Sequence, residues 1–250
     1  PAAWDVGRRL GDGLLERYLR EEGASPQSVG IVVWGTATMR TQGDDIAEIL
    51  YLLGIRPCWQ AESRRLLTLE KIPLEELGRP RIDVTVRISG FFRDAFPNLV
   101  AMLDKAVTMA AEAEDESIEQ NFVRQHYLRD RAARLAEGMN DRDSRRSSLY
   151  RVFGSKPGTY GVGMLNLMDQ RNWETDEHLA RVYITWSGYA YTGADTGVEA
   201  ASTFVERLKE VSVAVKNQDN REHDIFDSDD YLQDHGGMVA TIRALTGSNP

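Results

Sequence analysis

The spacing of apolar residues divides the chain into alternating helical and extended stretches. Val6, Leu10, Leu14 and Tyr18 recur every four positions behind the capping candidate Asp5, and predict an amphipathic helix that stops at Gly23. A strand is expected over Val29 to Trp34, then a polar loop. Asp44 can cap the next helix, which carries Ile46, Ile49, Leu50 and Leu53 on one stripe and stops at Gly54. Ile82 to Ile88 alternates strictly, so it predicts a strand with one face buried. Helical patterns cover Pro97 to Ala113, with proline where a missing N–H costs nothing, and Ser117 to Glu137. The basic, polar stretch Asp141 to Ser148 reads as a connector. Beyond it come a short strand at Leu149 to Phe153, a glycine-rich loop from Gly154 to Gly163, helices over Thr175 to Trp186 and Gly197 to Glu210, and alternation at Val211, Val213 and Val215.

Strands separated by helices predict an α/β fold, a sheet flanked by helices, with no repeat of solenoid period. The pattern divides into an α/β half over 1–140 and a second α/β portion over 141–250, or forms one continuous domain. In such sheets the loops beyond the carboxyl ends of the strands build the binding crevice. Chemistry is therefore expected after Trp34, Ile88, Phe153 and Val215.

Composition narrows the field. The chain has 250 residues, 28% charged and 42% hydrophobic, enough for a buried core and unlike a disordered segment. No apolar run is long enough to span a bilayer, and the opening Pro1-Ala2-Ala3-Trp4-Asp5 has no secretory pattern. With the single Cys58, these features point to a reducing cytoplasm. A net charge of -9 without a long basic run argues against nucleic acid or an anionic membrane as partner. One cysteine excludes a thiolate zinc site, so any metal handled here meets imidazole and carboxylate, which makes the four histidines informative. The missing initiator methionine and the close on Thr246-Gly247-Ser248-Asn249-Pro250 read as an excised segment of something longer.

The first loop, Gly35 to Gly43, sets threonines and Arg40 before a helix start, where backbone donors suit an anion, or where threonines simply cap and turn. It is not a nucleotide loop, because no Gly-Lys-Ser/Thr follows its glycines. The second, Ser89 to Pro97, mixes three phenylalanines with Arg93; this suits a flat macrocycle bearing carboxylates, or a hydrophobic plug with Arg93 paired to Asp94. The third, Arg151 to Gly161, offers Lys156 among glycines, a cradle for carboxylate or phosphate or an ordinary turn at Pro157-Gly158. The fourth, Asn217 to Tyr231 and on to His235, holds Glu222, His223, Asp224, Asp227, Asp229 and Asp230, with Arg221 among them. Imidazole beside carboxylates suits a divalent ion or a proton acceptor, although acidic loops are also common as solvated turns. His126 and His178 lie in helical patterns among charges, where a surface or capping role is expected, and the run Tyr183, Trp186, Tyr189 and Tyr191 reads as packing.

Five ordered phrases carry a resemblance: Val33 to Asp45, Arg79 to Val84, Gly90 to Asp94, Arg151 to Gly154 and Asn220 to Asp224. Together they resemble the CobN and magnesium-chelatase H-subunit family over nearly the whole chain. The Arg221-Glu222-His223-Asp224 and Asp227 to Tyr231 phrases look like its cobalt-type branch. The resemblance implies a cytoplasmic subunit of an ATP-dependent chelatase that binds hydrogenobyrinic acid a,c-diamide and inserts cobalt(II) during cobalamin synthesis. It also implies AAA+ ATPase partner subunits of the CobS/CobT type that hydrolyse the ATP. Family members are several times longer, and a glycine-threonine or lysine-histidine-glycine phrase of their active-site region is missing here, so the chain alone is expected to be inactive.

Metal insertion must strip water from a cation, take protons from ring nitrogens and hold the ring. On that basis His223, Glu222 and Asp224 are the catalytic candidates, and His223, Asp227, Asp229, Asp230 and His235 the candidates for metal contact. Arg40, Thr41, Arg87, Arg93 and Lys156 are candidates for substrate carboxylates. Two alternatives remain: a magnesium-type subunit acting on protoporphyrin IX, or a non-catalytic domain that docks AAA+ subunits, for which the charged helix Ser117 to Glu137 would serve.

Overall fold

The computed structural model describes residues 1–164, 167, 174–220 and 228–250. Helix α1 (Ala2–Glu22) ends on Gly23, whose φ of 74° lets its N–H close on the Leu19 carbonyl. Strand β1 (Ser28–Val33) leads into α2 (Gly35–Thr41) and α3 (Asp44–Leu52). A hairpin, β2 (Ile55–Trp59) and β3 (Leu66–Lys71), and the short α4 (Leu74–Leu77) precede β4 (Asp83–Ile88). Then follow α5 (Gly90–Ala95), α6 (Pro97–Ala111), α7 (Phe122–Ala136), α8 (Asp141–Ser148) and β5 (Val152–Gly154). The remaining described elements are α9 (Asp176–Ser187), β6 (Tyr189–Tyr191), β7 (Thr196–Glu199), α10 (Ala201–Glu210), β8 (Val213–Val215), a π-helical turn (Tyr231–Gly236) and α11 (Gly237–Thr246).

One six-stranded sheet runs in the order β7-β6-β5-β4-β1-β8. Its four strands β5, β4, β1 and β8 are parallel, in a register that sets Ile31 beside Val86 and Val215, while β6 and β7 run antiparallel at one edge. Strands from both sides of residue 140 share this sheet. Successive residues of β1 serve opposite faces. Val29, Ile31 and Val33 pack with Ile49 and Leu50 of α3 and Leu103 of α6, whereas Val32 packs with Tyr183, Phe204 and Met238 from α9, α10 and α11. The sheet is thus the middle of three layers, which is why β1 reads as an unbroken apolar run. Each fully buried aliphatic side chain in these layers contributes about 1.5–3 kcal/mol.

Several expected boundaries shift, for local reasons. Gly35 to Thr41 is helical, with the Thr38 and Thr41 hydroxyls donating back to the Trp34 and Ala37 carbonyls, and the turn expected there is confined to Gln42 and Gly43, whose φ values are positive. Ser89 caps α5 by accepting from the Phe92 N–H, so the aromatic loop is also a helix. The Asp141 to Ser148 connector is α8: it lacks apolar periodicity, but the Asn140 side chain caps it, Asp141 and Asp143 sit in its first turn, and Arg145 and Arg146 sit in its last. Residues Thr196–Glu199 form an edge strand, not the start of a helix. The β2–β3 hairpin is an element that the pattern did not announce.

His126 is buried, not on the surface. Its Nδ1 lies 2.8 Å from Asp83, at the amino-terminal end of β4, where Arg151 Nε (2.7 Å) and Arg207 (3.4 Å) reach the same carboxylate. Burial alone would raise the Asp83 pKa, but Arg151, His126 and Arg207 hold it well below the usual carboxylate range. This cluster ties β4, α7 and α10 together at the edge of the sheet opposite the carboxyl ends.

Candidate active-site crevice

The four loops singled out by the sheet rule meet. At the carboxyl ends of β1 and β4 lies a crevice of about 210 Å³ lined by Trp34, Gly35 and Thr36 after β1, Ser89, Gly90 and Phe91 after β4, Tyr160 and Gly161 after β5, and Asp230 and Asp234 beyond β8. Adjacent parallel strands bring their following loops to one edge, so the convergence is a consequence of the strand order.

Each wall is built by a specific contact. Ser89 Oγ accepts from the N–H of Gly35 as well as that of Phe92, joining α2 to α5. Gly35 permits this approach, since a Cβ there would stand 2.5 Å from the Phe91 ring and 2.7 Å from the Phe92 nitrogen. Tyr160 donates its hydroxyl to Asp94 (2.7 Å) and lies with its ring 5.3 Å from the Arg93 guanidinium. Phe91 and Tyr160 remain 41% and 62% exposed, presenting aromatic surface to the solvent side of the crevice.

The floor is ionic. Arg87 of β4 is 1% exposed and donates to Asp234 (2.5 Å) and to the Gly161 carbonyl (3.0 Å), while Trp34 Nε1 donates to the other Asp234 oxygen at 2.7 Å. Burial raises the Asp230 pKa, and the neighbouring Asp234 and Asp229 raise it further. Asp230 is therefore a proton-accepting group closer to neutrality than an ordinary carboxylate.

Behind Trp34 lies a second cluster. Lys216, directly after β8, sets its ammonium 4.4 Å from the Trp34 ring centre and 6.0 Å from that of Tyr231; burial lowers its pKa. The next residue, Asn217, donates to Asp45 (2.8 Å) and Glu48 (2.5 Å) of α3, both buried. Burial pushes the Glu48 carboxyl up to about 7, against the opposing hydrogen bond from Asn217.

The candidates from sequence fall at different places. Arg40 forms a two-pronged pair with Asp219 (2.6 and 3.0 Å) at the stem of the acidic loop and keeps 47% of its side chain exposed. Thr41 Oγ accepts from the Gly43 and Asp44 N–H groups at the start of α3. Arg87 forms the floor described above. Arg93 donates to both Asp94 oxygens and to the carbonyls of Ser155, Lys156 and Thr159, holding the third loop in shape. Lys156 is exposed, as is Asp229. His235 stands on the far side of the π-helical turn from the crevice, with a buried Nδ1 that has no partner; burial and then Lys216 lower its pKa. Glu222, His223, Asp224 and Asp227 lie outside the described residues. Among the described residues, no group of three His, Cys, Asp or Glu side chains is placed to hold a metal ion.

Sequence reasoning missed Asp234, Lys216, Asp45 and Glu48. A signal existed for the last two: carboxylates three residues apart inside the apolar stripe of Ile46, Ile49 and Leu50 must point into the protein or be paired.

The chain matches the family model described as CobN/Magnesium Chelatase over residues 1–250. It is 48% identical to the aerobic cobaltochelatase subunit CobN of Pseudomonas aeruginosa over 99% of its length, and 34% identical to the magnesium-chelatase H-subunit of Chlorobaculum parvum over 96%. It superposes on the catalytic subunit of cobaltochelatase from Mycobacterium tuberculosis with a TM-score of 0.93 and 54% identity, over the whole chain. The chain spans about a fifth of the length of these relatives, 20%, 18% and 20% respectively.

Proposed function

We propose, for a chain that belongs to the CobN/magnesium chelatase family, that it forms the part of a cobalt-type chelatase subunit that grips the edge of a tetrapyrrole. The substrate would be hydrogenobyrinic acid a,c-diamide and the metal cobalt(II), in cobalamin synthesis. The observation that carries this reading is the meeting of all four post-strand loops at one crevice, with Phe91 and Tyr160 exposed above the Arg87–Asp234 floor. Aromatic faces suit a flat ring and fixed charge suits its polar rim. Identity of 48% to a cobalt-type subunit against 34% to a magnesium-type one supports the choice of metal branch.

In this reading the exposed cations Arg40 and Lys156 meet the ring's carboxylates. Arg87 forms the floor under the ring and Arg93 holds the third loop and its Tyr160 in place, while Thr41 caps the start of α3 outside the crevice lining. Asp230 accepts a proton or contacts the arriving metal, together with Asp229, Asp227 and the Glu222, His223 and Asp224 group, whereas His235 faces away from the crevice and takes no part. ATP is hydrolysed by separate AAA+ subunits in the cytoplasm, and the complete subunit is needed for turnover.

A visible-absorbance titration with hydrogenobyrinic acid a,c-diamide, with protoporphyrin IX as control, tests this. A saturable shift with the corrinoid alone supports the cobalt reading, and one with the porphyrin alone replaces it with the magnesium-type reading. Absence of a shift with both removes the ring site from these residues.

A further inference from the structure

A cavity larger than the crevice lies elsewhere among the described residues. About 710 Å³ of open groove runs along the outer edge of β8, between Leu14 and Tyr18 of α1 on one side and His235 and Asn249 on the other. Among the described residues, strand β8 pairs only with β1, so its second edge has no neighbour there in the sheet. The direction of its free groups follows from the ladder. Ser212 N–H donates to Ser28 O of β1 at 2.9 Å, and groups along a strand alternate in direction, so the N–H and C=O of Val213 and Val215 point into the groove. Among the described residues, no side-chain or loop hydrogen bond reaches them.

Half-sheltered backbone groups without partners are unfavourable, and a bare strand edge is a template for pairing. We infer that this groove receives an extended strand from the part of a full-length subunit that this chain does not span, adding a seventh strand against β8. The chain covers 20% of the cobaltochelatase subunit it superposes on, so four-fifths of such a subunit is available to supply the segment. A strand offers backbone donors and acceptors at the spacing that Val213 and Val215 require. The docked strand reaches the crevice indirectly: His235 follows Asp234 in the π-helical turn, so one turn forms the groove wall and the crevice floor. This inference does not depend on which ring or metal the crevice takes.

Hydrogen exchange followed by mass spectrometry, on a full-length subunit containing this sequence and on the 250-residue chain alone, provides the test. The Val213 and Val215 amides should exchange at least about a hundredfold slower in the full-length subunit than in the chain alone. Val213→Pro removes only an outward N–H and leaves the bonds to β1 intact, so it should abolish most of the Val215 protection while β1 amides stay protected. Equal, fast exchange at Val215 in both proteins overturns the inference. So does protection that appears in the chain alone in step with its dimerisation in sedimentation, which would make the occupant a second copy.

Discussion

Trp34 and Asp234 lie 200 residues apart in the chain and share a hydrogen bond of 2.7 Å, indole N–H to carboxylate. The other oxygen of that carboxylate takes the Arg87 guanidinium, so a single side chain of the π-helical turn fixes the ends of two neighbouring strands. π-Helical turns are uncommon and often accompany functional sites, since the extra residue per turn re-aims side chains. Here the turn directs Asp234 to the crevice and His235 away from it.

Asp234→Ala should leave Arg87 as an uncompensated buried charge, at a cost of about 3–5 kcal/mol. The unfolding midpoint in denaturant should fall accordingly, and tryptophan fluorescence should change in the folded state because the Trp34 indole loses its acceptor. An unchanged midpoint would mean that water replaces the carboxylate and that the floor is not a dry ion pair.

Gly35→Ala places a methyl group 2.5 Å from the Phe91 ring and 2.7 Å from the Phe92 backbone nitrogen. Because backbone cannot swing aside, α2 and α5 must separate, at about 1–3 kcal/mol. Thermal unfolding checks the cost, and corrinoid titration should show a weaker complex. A variant as stable as the parent would show that the two helices slide freely.

Glu48 gives a pH dependence with a definite sign. Its carboxyl is raised from 4.5 to about 7 by burial, so the folded state holds the proton more tightly than the unfolded one. The stability it contributes is full below about pH 4.5 and is lost as pH rises through about 7, by up to about 3 kcal/mol. Glu48→Gln keeps an acceptor for Asn217 and removes the titration, so it should be more stable than the parent at pH 8 and show a flatter profile between pH 5 and 7. Parallel profiles for the two proteins would refute the assignment.

Phe91→Ala removes partly exposed aromatic surface and should change stability by only about 0.5 kcal/mol, whereas Tyr160→Ala also loses the bond to Asp94 and the contact with Arg93 and should cost about 1–2 kcal/mol. If these rings contact the tetrapyrrole, each substitution should weaken its binding by about 0.5–1.5 kcal/mol, or roughly twofold to tenfold in Kd. Binding unaffected by both substitutions would move the ring away from the crevice.

Much of the fold was legible because its signals are local. The four-residue rhythm from Val6 to Tyr18, the glycine stops at Gly23 and Gly54, the apolar run at β1 and the alternation at β4 mark elements whose own side chains decide their form, although the polar face expected to be open on β4 is buried too, with Asp83 and Arg87 held by ion pairs. Helix α8 was not legible from periodicity, because its stability lies in the Asn140 cap and end charges, and the β2–β3 hairpin has no tight-turn dipeptide to announce it. The crevice was half legible. Sequence located its four loops through the rule on strand carboxyl ends, but it assigned Arg87 and Arg93 without their partners.

The sequence by itself determined the α/β class, the family resemblance, and which loops follow parallel strands, since hydrophobic period and ordered phrases are properties of contiguous residues. Only the tertiary structure decided that Arg87 answers to Asp234, that Lys216 lies behind Trp34, that Glu48 is buried beside Asp45, and that β8 has an open edge among the described residues. The physical reason is range: charge pairing, desolvation and strand order depend on which distant segments meet, and no spacing along the chain encodes those meetings.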